Sequence, residues 1–300
     1  MKILAAIVTH NRCQLLERCI DHLQMQTRLP DSIVVINNGS TDGTVDMLKH
    51  RNIQYITQDN VGSAGGWYRC IAHAMEHHFD AIWLMDDDGF PSDSALKRLE
   101  GNLDKGVACV SSVVLCEKDR ERLVFPLPIL NSKQLPAIFS LRYKLKTINE
   151  VLSVSPNGLY PYVHYFNGAL VSCDAVLKIG NVESDFFLMG DEVDFGYRLR
   201  SVGKVCTDIS AHHYHPDVTE RAWSKLKIYY YLKNTIILNQ RYFDMVYIRN
   251  VIAVVATFFR IAIHNGWRGL LSYLYGKNLK MLLIAIWRGL NGRIAKDFDA

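Results

Sequence analysis

Over the first 115 residues, apolar runs rich in Ile and Val alternate with segments whose apolar positions recur at helical spacing. The runs lie at Ile3–Val8, Ser32–Ile36, Gln54–Thr57, Ala81–Met85 and Val107–Val114. Their length and β-branched content predict strands. Leu15, Leu16, Cys19, Ile20 and Leu23 keep helical spacing and predict a helix between the first two strands. Ile71 and Ala72, one turn before Met75, predict another. Strands alternating with helices in this way imply an α/β domain with a mainly parallel sheet covered by helices.

The pattern then loosens. Glu117 to Val163 mixes charge with apolar residues and carries Pro126, Pro128, Pro136, Pro156 and Pro161. It reads as a variable excursion bordering a substrate site. Order resumes with "YFNGALVS", a short helix-compatible stretch, and "DFFLMGDEVDFGYRLRSVG". Beyond Arg221 the texture is helical, and three or four helices are expected. "YIRNVIAVVATFFRIAIHNGW" is long and apolar, but Arg249 and Arg260 leave it short of the roughly 20 clean residues of a membrane span. "LKMLLIAIWRGLNGRIAKDF" combines an apolar run and Trp287 with Arg288, Arg293 and Lys296, the pattern of a helix lying on a membrane surface. The alternative is ordinary helix packing with the basic residues solvated. These textures divide the chain into residues 1–220 and a basic, amphipathic helical region at 221–300.

Charge sharpens that division. The whole chain carries +4, yet residues 221–300 hold 13 Lys/Arg against 3 Asp/Glu, or +10, leaving −6 on the rest. Such asymmetry predicts an anionic surface as partner of the C-terminal region. Nothing in the pattern points to nucleic acid. The seven cysteines are scattered without a CxxC pair, which fits a reducing, cytoplasmic setting. "MKILAAIVTHNR" has too short an apolar core for a signal peptide and reads as the first strand.

In sheets of this kind, ligands bind beyond the C-terminal strand ends. There stand "THNR" after Val8, "NNGSTDGT" after Ile36, "QDNVGSAGGW" after Thr57 and "DDDGFPS" after Met85. If the chain stays extended past Met85, Asp86 and Asp88 share a face and Asp87 points away. Two convergent carboxylates favour a divalent cation, and hard oxygen ligands suit Mg²⁺ or Mn²⁺. A solvated acidic loop is the plainer alternative. Gly62, Gly65 and Gly66 permit close backbone approach but form neither a GxGxxG turn nor a P-loop; a tight turn into a helix over Trp67–Glu76 would also explain them. Asp191, Glu192 and Asp194 stand at the expected start of a helix, with Asp194 and Arg198 spaced as i,i+4 partners. Asp191 and Glu192 have no such partner, and an ionised carboxylate there could act as a general base. In "AHHYHPD", His213 and His215 share a face of an extended segment, and one of His212, His213 and His215 could complete a metal shell.

In this order the motifs resemble those of the family 2 glycosyltransferases, whose fold is GT-A. The likeness runs from about Ile3 to His215, carried by "VTHNR", "VVINNGSTDGT", "DNVGSAGG", "MDDDGFP" and "FFLMGDEVDFGYRLRSVG". The AGG turn, the triple Asp and the DE-V-D-F-G-YR pattern are most similar to the galactofuranosyl- and rhamnosyltransferase branch. The resemblance implies a GT-A catalytic domain at 1–220. It implies that Thr9, Asn11 and Arg12 lie near the nucleotide, and that Asn38 faces the nucleobase or ribose where the family often has an acid. Asn60 and Gly66 match the third nucleotide-facing motif. Asp86 and Asp88 match the pair handling ribose, diphosphate and metal, and Asp87 is placed toward the donor sugar or nearby arginines. Glu192 matches the catalytic base, with Asp191 its neighbour and competitor, and His215 matches a histidine that ligates metal in some members.

The activity so implied is transfer of a sugar, galactofuranose or rhamnose favoured, from a UDP- or dTDP-linked donor to a hydroxyl of a glycan or polyprenyl-linked glycan. It would be inverting, need Mn²⁺ or Mg²⁺, and serve polysaccharide assembly such as O-antigen synthesis on the inner face of the cell membrane. Two alternatives use the same features. A nucleotidyltransferase also binds nucleotide sugars, but the glycine-rich N-terminal signature with an adjacent basic residue is missing. An inactive glycan-binding scaffold would have little use for the acids at 86–88 and 191–192.

Overall fold

A computed structural model describes residues 1–138, 144–218 and 222–298. Part of the excursion, 139–143, and the expected junction between the two regions at 219–221 lie outside the described residues. The five apolar runs are strands: β1 (Ile3–Thr9), β2 (Ser32–Asn37), β3 (Gln54–Thr57), β4 (Ala81–Asp86) and, after a short β5 (Phe90–Pro91), β6 (Val107–Cys116). The excursion contributes β7 (Arg122–Pro128), β8 (Lys144–Thr147) and β9 (Leu159–Tyr160), followed by β10 (Asn167–Ser172) and β11 (Lys204–His215). The helices are α1 (Cys13–Gln24), α2 (Thr44–His50), α3 (Gly62–Glu76), α4 (Ala95–Asn102), α5 (Ile148–Val154), α6 (Cys173–Ile179), α7 (Asp191–Arg200), α8 (Lys225–Tyr242), α9 (Val246–Ser272) and α10 (Gly276–Leu290).

The chain forms two compact units: Met1–Val61, Gly66–Val182 and Phe195–Asp217 in the first; Gly62–Gly65, Glu183–Asp194 and Val218–Ala300 in the second. The first unit holds the sheet, in the order β3-β2-β1-β4-β10-β6-β11-β5, with β7 beside β6, β8 beside β7 and β9 beside β11. The pairs β3–β2, β2–β1, β1–β4 and β6–β11 are parallel, while β10 runs antiparallel to both β4 and β6. The fold is the expected mixed α/β arrangement, mostly parallel.

Alternate side chains of each central strand go to opposite faces, and helices cover both faces, so the runs are apolar throughout. Leu4, Ala6 and Val8 pack with Trp67, Cys70 and Ile71 of α3. Ile3, Ala5 and Ile7 pack with Leu16, Cys19, Ile20 and Leu23 of α1, so the predicted helical stripe is the buried face. One boundary differs from the expectation. Helix α3 starts at Gly62 rather than Trp67, so the glycines are its first turns and not a preceding turn. Gly66 must be small there: a Cβ would lie 2.6 Å from Val8 Cγ1 and 3.2 Å from Asn38 Nδ2. The seven cysteines are all free, and most are buried among apolar side chains.

The second unit is built on α8, whose Ile228, Tyr229, Leu232 and Ile236 are buried against α9 and α10. A Cβ on Gly289 would lie 3.0 Å from the Lys233 carbonyl oxygen, so α10 crosses α8 closely. Fewer basic side chains reach solvent than composition implied. Lys233 is fully buried and bonded to Asp297; Arg241, Arg249 and Arg288 pair with Asp194, Asp244 and Asp297. Helix α9 corrects another expectation, being long and apolar enough to cross a membrane by length and composition. It is kinked at Gly266, where φ is 69° and ψ 177°, and helix resumes to Ser272.

Candidate active site

Parallel pairing aligns the C-terminal ends of four strands on one edge. Thr9 stands opposite Asn37, Asn37 opposite Thr57, and Val8 opposite Asp86. The loops that follow are tied to one another. The Asn38 amide donates to the Thr9 carbonyl (2.9 Å), and Gln58 Nε2 donates to Asn38 Oδ1 (2.6 Å). Asn11, in a left-handed conformation (φ 54°), donates its backbone N–H to Ser40 Oγ and accepts from the Thr41 N–H at 2.7 Å. Thr9, Asn11, Arg12, Asn38 and Gly66 are thus gathered around one strand edge. Asn60 follows β3 in the third of these loops, its backbone near Gly39 of the second.

The acidic triplet departs from the extended geometry expected of it. β4 ends at Asp86, and the chain turns at Asp87 and Asp88. Alternation therefore does not separate Asp87 from its neighbours. Asp87 and Asp88 converge instead on Arg12, whose Nη1 lies 2.9 Å from Asp87 Oδ1 and 2.8 Å from Asp88 Oδ2. Thr9 Oγ1 donates to the other oxygen of Asp87 at 2.8 Å. Both carboxylates are buried, 3% exposed each. Burial raises the Asp87 carboxyl above its ordinary value, and Arg12 and Thr9 oppose that rise. Asp86, at the strand end, is less buried.

His215, near the end of β11, places Nε2 2.9 Å from Asp88 Oδ1, while its Nδ1 lies 2.7 Å from the Pro216 carbonyl oxygen. An Nδ1–H donated to that carbonyl leaves Nε2 with its lone pair toward the acids, the tautomer a metal needs. Among the three histidines, His215 is thus the one at the carboxylates. His213 is fully buried, with neither ring nitrogen hydrogen-bonded among the described residues. Burial holds it down to about 3, so it stays neutral. Its ring fills the space that a Cβ would take at Gly89, 2.2 Å from Nε2, and at Gly168, 2.9 Å from Nδ1. Two glycines therefore let this imidazole sit between the acidic loop and the bulge at the start of β10. His212 is half-buried.

Two contributors escaped the sequence reading. Arg18, one and a half turns beyond Arg12, donates to the Asp88 carbonyl (3.0 Å) and to Glu117 (2.7 Å), fixing the loop's backbone. Gly168 had only a Gly after "YFN" to mark it. Neither Arg18 nor Gly168 carries a local signal, because each acts on a residue about 70 or more positions away or in another strand.

Within the second unit, Asp191, Glu192 and Asp194 occupy the first turn of α7, where the helix dipole favours carboxylates. Asp191 is buried. Desolvation, with the neighbouring Glu192 next in size, raises its carboxyl to about 7. Asp194 accepts from Arg241 (2.8 Å) and Tyr242 (2.7 Å), while Arg198 donates to the carbonyls of Ile179 and Asn181.

A donor set of aspartate oxygens and one imidazole fits Mn²⁺ or Mg²⁺, with the imidazole favouring Mn²⁺. The Arg12 guanidinium between the acids marks the same spot as one built for positive charge. Among the described residues, one other cluster has metal-ligand composition: His73, Glu76 and His77 on α3.

The profile of the family described as glycosyl transferase family 2 matches residues 5–160. The galactofuranosyltransferase GlfT1 of Mycolicibacterium smegmatis is 32% identical over 225 residues, 73% of this chain and 72% of that protein. The O-antigen chain rhamnosyltransferase RfbN of Salmonella typhimurium is 34% identical over 101 residues, 33% of this chain and 32% of that one. Among solved structures, the mannosyltransferase PcManGT of Pyrobaculum calidifontis, in complex with GDP-Man and Mn²⁺, has a TM-score of 0.56 at 13% identity, covering 96% of this chain and 85% of its own. S. aureus TarS 1–349 in complex with UDP has a TM-score of 0.57 at 12% identity, covering 97% and 81%. With its strand-edge acids and this extent of likeness, the chain belongs to glycosyl transferase family 2 and is a glycosyltransferase.

Proposed function

We propose that this enzyme transfers galactofuranose, with rhamnose the second choice, from a UDP- or dTDP-linked donor to a hydroxyl of a glycan acceptor, inverting the anomeric configuration. The observation that carries the reading is the strand-edge cluster of Thr9, Arg12, Asp87, Asp88 and His215. It sets paired carboxylates, a cation and an imidazole where a nucleoside diphosphate binds in such sheets. The sugar is suggested by the relatives named galactofuranosyltransferase.

In this reading Thr9, Asn11, Asn38 and Asn60 line the nucleotide, and Gly66 lets α3 come close enough to do so. Asp86, Asp88 and His215 would hold a divalent cation, which when bound offsets the charge of the departing diphosphate. Glu192 takes the proton of the acceptor hydroxyl, which attacks the anomeric carbon opposite the leaving group. One in-line displacement inverts that carbon and needs no covalent enzyme intermediate. Burial and the adjacent Glu192 raise the Asp191 carboxyl to about 7, within reach of a general base, so Asp191 stays the competitor of Glu192 for that role.

The domain reading is a catalytic domain at 1–220 and a C-terminal region at 221–300 that meets the membrane on its cytoplasmic face, near a polyprenyl-linked acceptor. Its support is the exposed apolar stripe Ile248, Val251, Val255, Phe259 and Ile263 on α9, with Trp267 and Trp287 beyond it. Aromatic residues of this kind favour the membrane interface. Incubation of the purified enzyme with Mn²⁺, labelled UDP-galactofuranose or dTDP-rhamnose and a lipid-linked glycan tests the reading. The product's anomeric configuration is read by NMR. Conversion of the donor with added pyrophosphate into nucleoside triphosphate and labelled sugar 1-phosphate, or a product of retained configuration, would overturn it. Flotation with anionic vesicles tests the membrane contact.

A further inference from the structure

Three adjacent carboxylates must be neutralised even before any cation arrives. We infer that Arg12 is a resident counter-cation of the acidic loop, which a divalent cation displaces from Asp88 and which then turns to the incoming diphosphate. The inference rests on the metal-dependent, nucleotide-sugar reading above and adds an ordered exchange to it.

The geometry has the parts such an exchange needs. A single nitrogen, Arg12 Nη1, bridges Asp87 and Asp88 at 2.9 and 2.8 Å, so one movement of one side chain releases both. The Arg12 side chain is 41% exposed, whereas those of Asp87 and Asp88 are about 5% exposed, so the cation is the mobile partner. Each acid has a second anchor that does not depend on Arg12. Thr9 Oγ1 holds the Asp87 carboxylate, and Arg18 holds the Asp88 backbone carbonyl. The acids therefore keep their places when the guanidinium leaves.

Energetics give the exchange its direction. A guanidinium and a divalent cation compete for Asp88 Oδ2, so the metal alone binds weakly. A diphosphate gives Arg12 a new anionic partner, with bidentate geometry that guanidinium favours. Metal and nucleotide then each assist the other, and by linkage the assistance is equal in both directions. The competing charge within about 4 Å predicts a metal affinity at least tenfold weaker than the same acids would have without it.

Mn²⁺ binding, read by the loss of the free-ion EPR signal, tests this without any turnover. Wild type is expected to bind Mn²⁺ alone weakly, and UDP to tighten it about tenfold or more. Arg12→Gln is expected to bind Mn²⁺ alone about tenfold more tightly than wild type, and to lose most of the UDP enhancement. Arg12→Lys keeps the charge and is expected to bind Mn²⁺ alone as weakly as wild type, with a smaller UDP enhancement because an ammonium lacks the guanidinium's fork, which guards against a Gln variant that does not fold. Weaker or unchanged Mn²⁺ binding by Arg12→Gln, with UDP enhancement intact, overturns the exchange while leaving the functional reading in place. Absence of any Mn²⁺ or UDP binding in wild type would overturn both.

Discussion

Asp191 offers a test in which activity need not be measured. It is buried, and desolvation with the adjacent Glu192 raises its carboxyl from 3.8 to about 7. The folded chain therefore holds a proton between about pH 4 and pH 7 that the unfolded chain has released. This contribution to stability is present in full below the unfolded value, and it is lost as pH rises through about 7. At 1.36 kcal/mol per unit, the whole span amounts to about 4 kcal/mol, of which about 2 kcal/mol is already lost at pH 5 and nearly all at pH 8. Asp191→Asn keeps a neutral side chain of the same shape and never bears the charge. The variant should exceed wild type by about 2 kcal/mol at pH 5 and by about 4 kcal/mol at pH 8, a gap that widens by roughly 5 °C in Tm for a chain of this size. Thermal melts of both proteins at pH 5, 6, 7 and 8 give the difference curve. A difference that stays flat across these pH values, or a variant less stable at pH 8, would refute the buried-proton argument.

Glu192→Gln should retain UDP binding and lower the transfer rate by roughly 10²–10⁴, the range for a general base, as read by donor titration and initial rates. Near-normal transfer would move the base to Asp191. Asp88→Asn should weaken UDP-dependent Mn²⁺ binding, and unchanged dependence of rate on Mn²⁺ would remove Asp88 from the ligand set. Gly66→Ala places a Cβ 2.6 Å from Val8 Cγ1, and should cost about 1–3 kcal/mol in a urea melt while also weakening UDP binding. Asp297→Ala leaves the fully buried Lys233 ammonium without its 2.6 Å partner, and should destabilise the helical unit by about 3–5 kcal/mol by the same assay.

Much of this molecule was legible in the sequence. The five apolar runs are strands, because a strand buried on both faces needs no polar alternation. The Leu16, Cys19, Ile20 and Leu23 stripe is the buried face of α1 because helical spacing is a short-range property. The order of the strand-end motifs disclosed the family for a similar reason, since each motif is contiguous. Helix ends were less legible. The start of α3 at Gly62 was hidden because glycine is a poor helix former, and only the close packing of Gly66 on Val8 and Asn38 explains a glycine within its first turns.

What only the tertiary structure decided is which groups the acids meet. Strand geometry assigned Asp86 and Asp88 to one side, but the chain turns after Asp86, and a turn cancels the two-residue period. Arg12 lies 75 and 76 positions from its acidic partners, His215 is further still, and no local spacing encodes such encounters. The same holds for the basic C-terminal region. Composition gave its charge, while only the fold shows Lys233 and Arg288 turned inward onto Asp297. Local sequence sets periodicity and turn chemistry within a few residues. The partner of a charge is chosen by which strand ends the sheet brings to one edge.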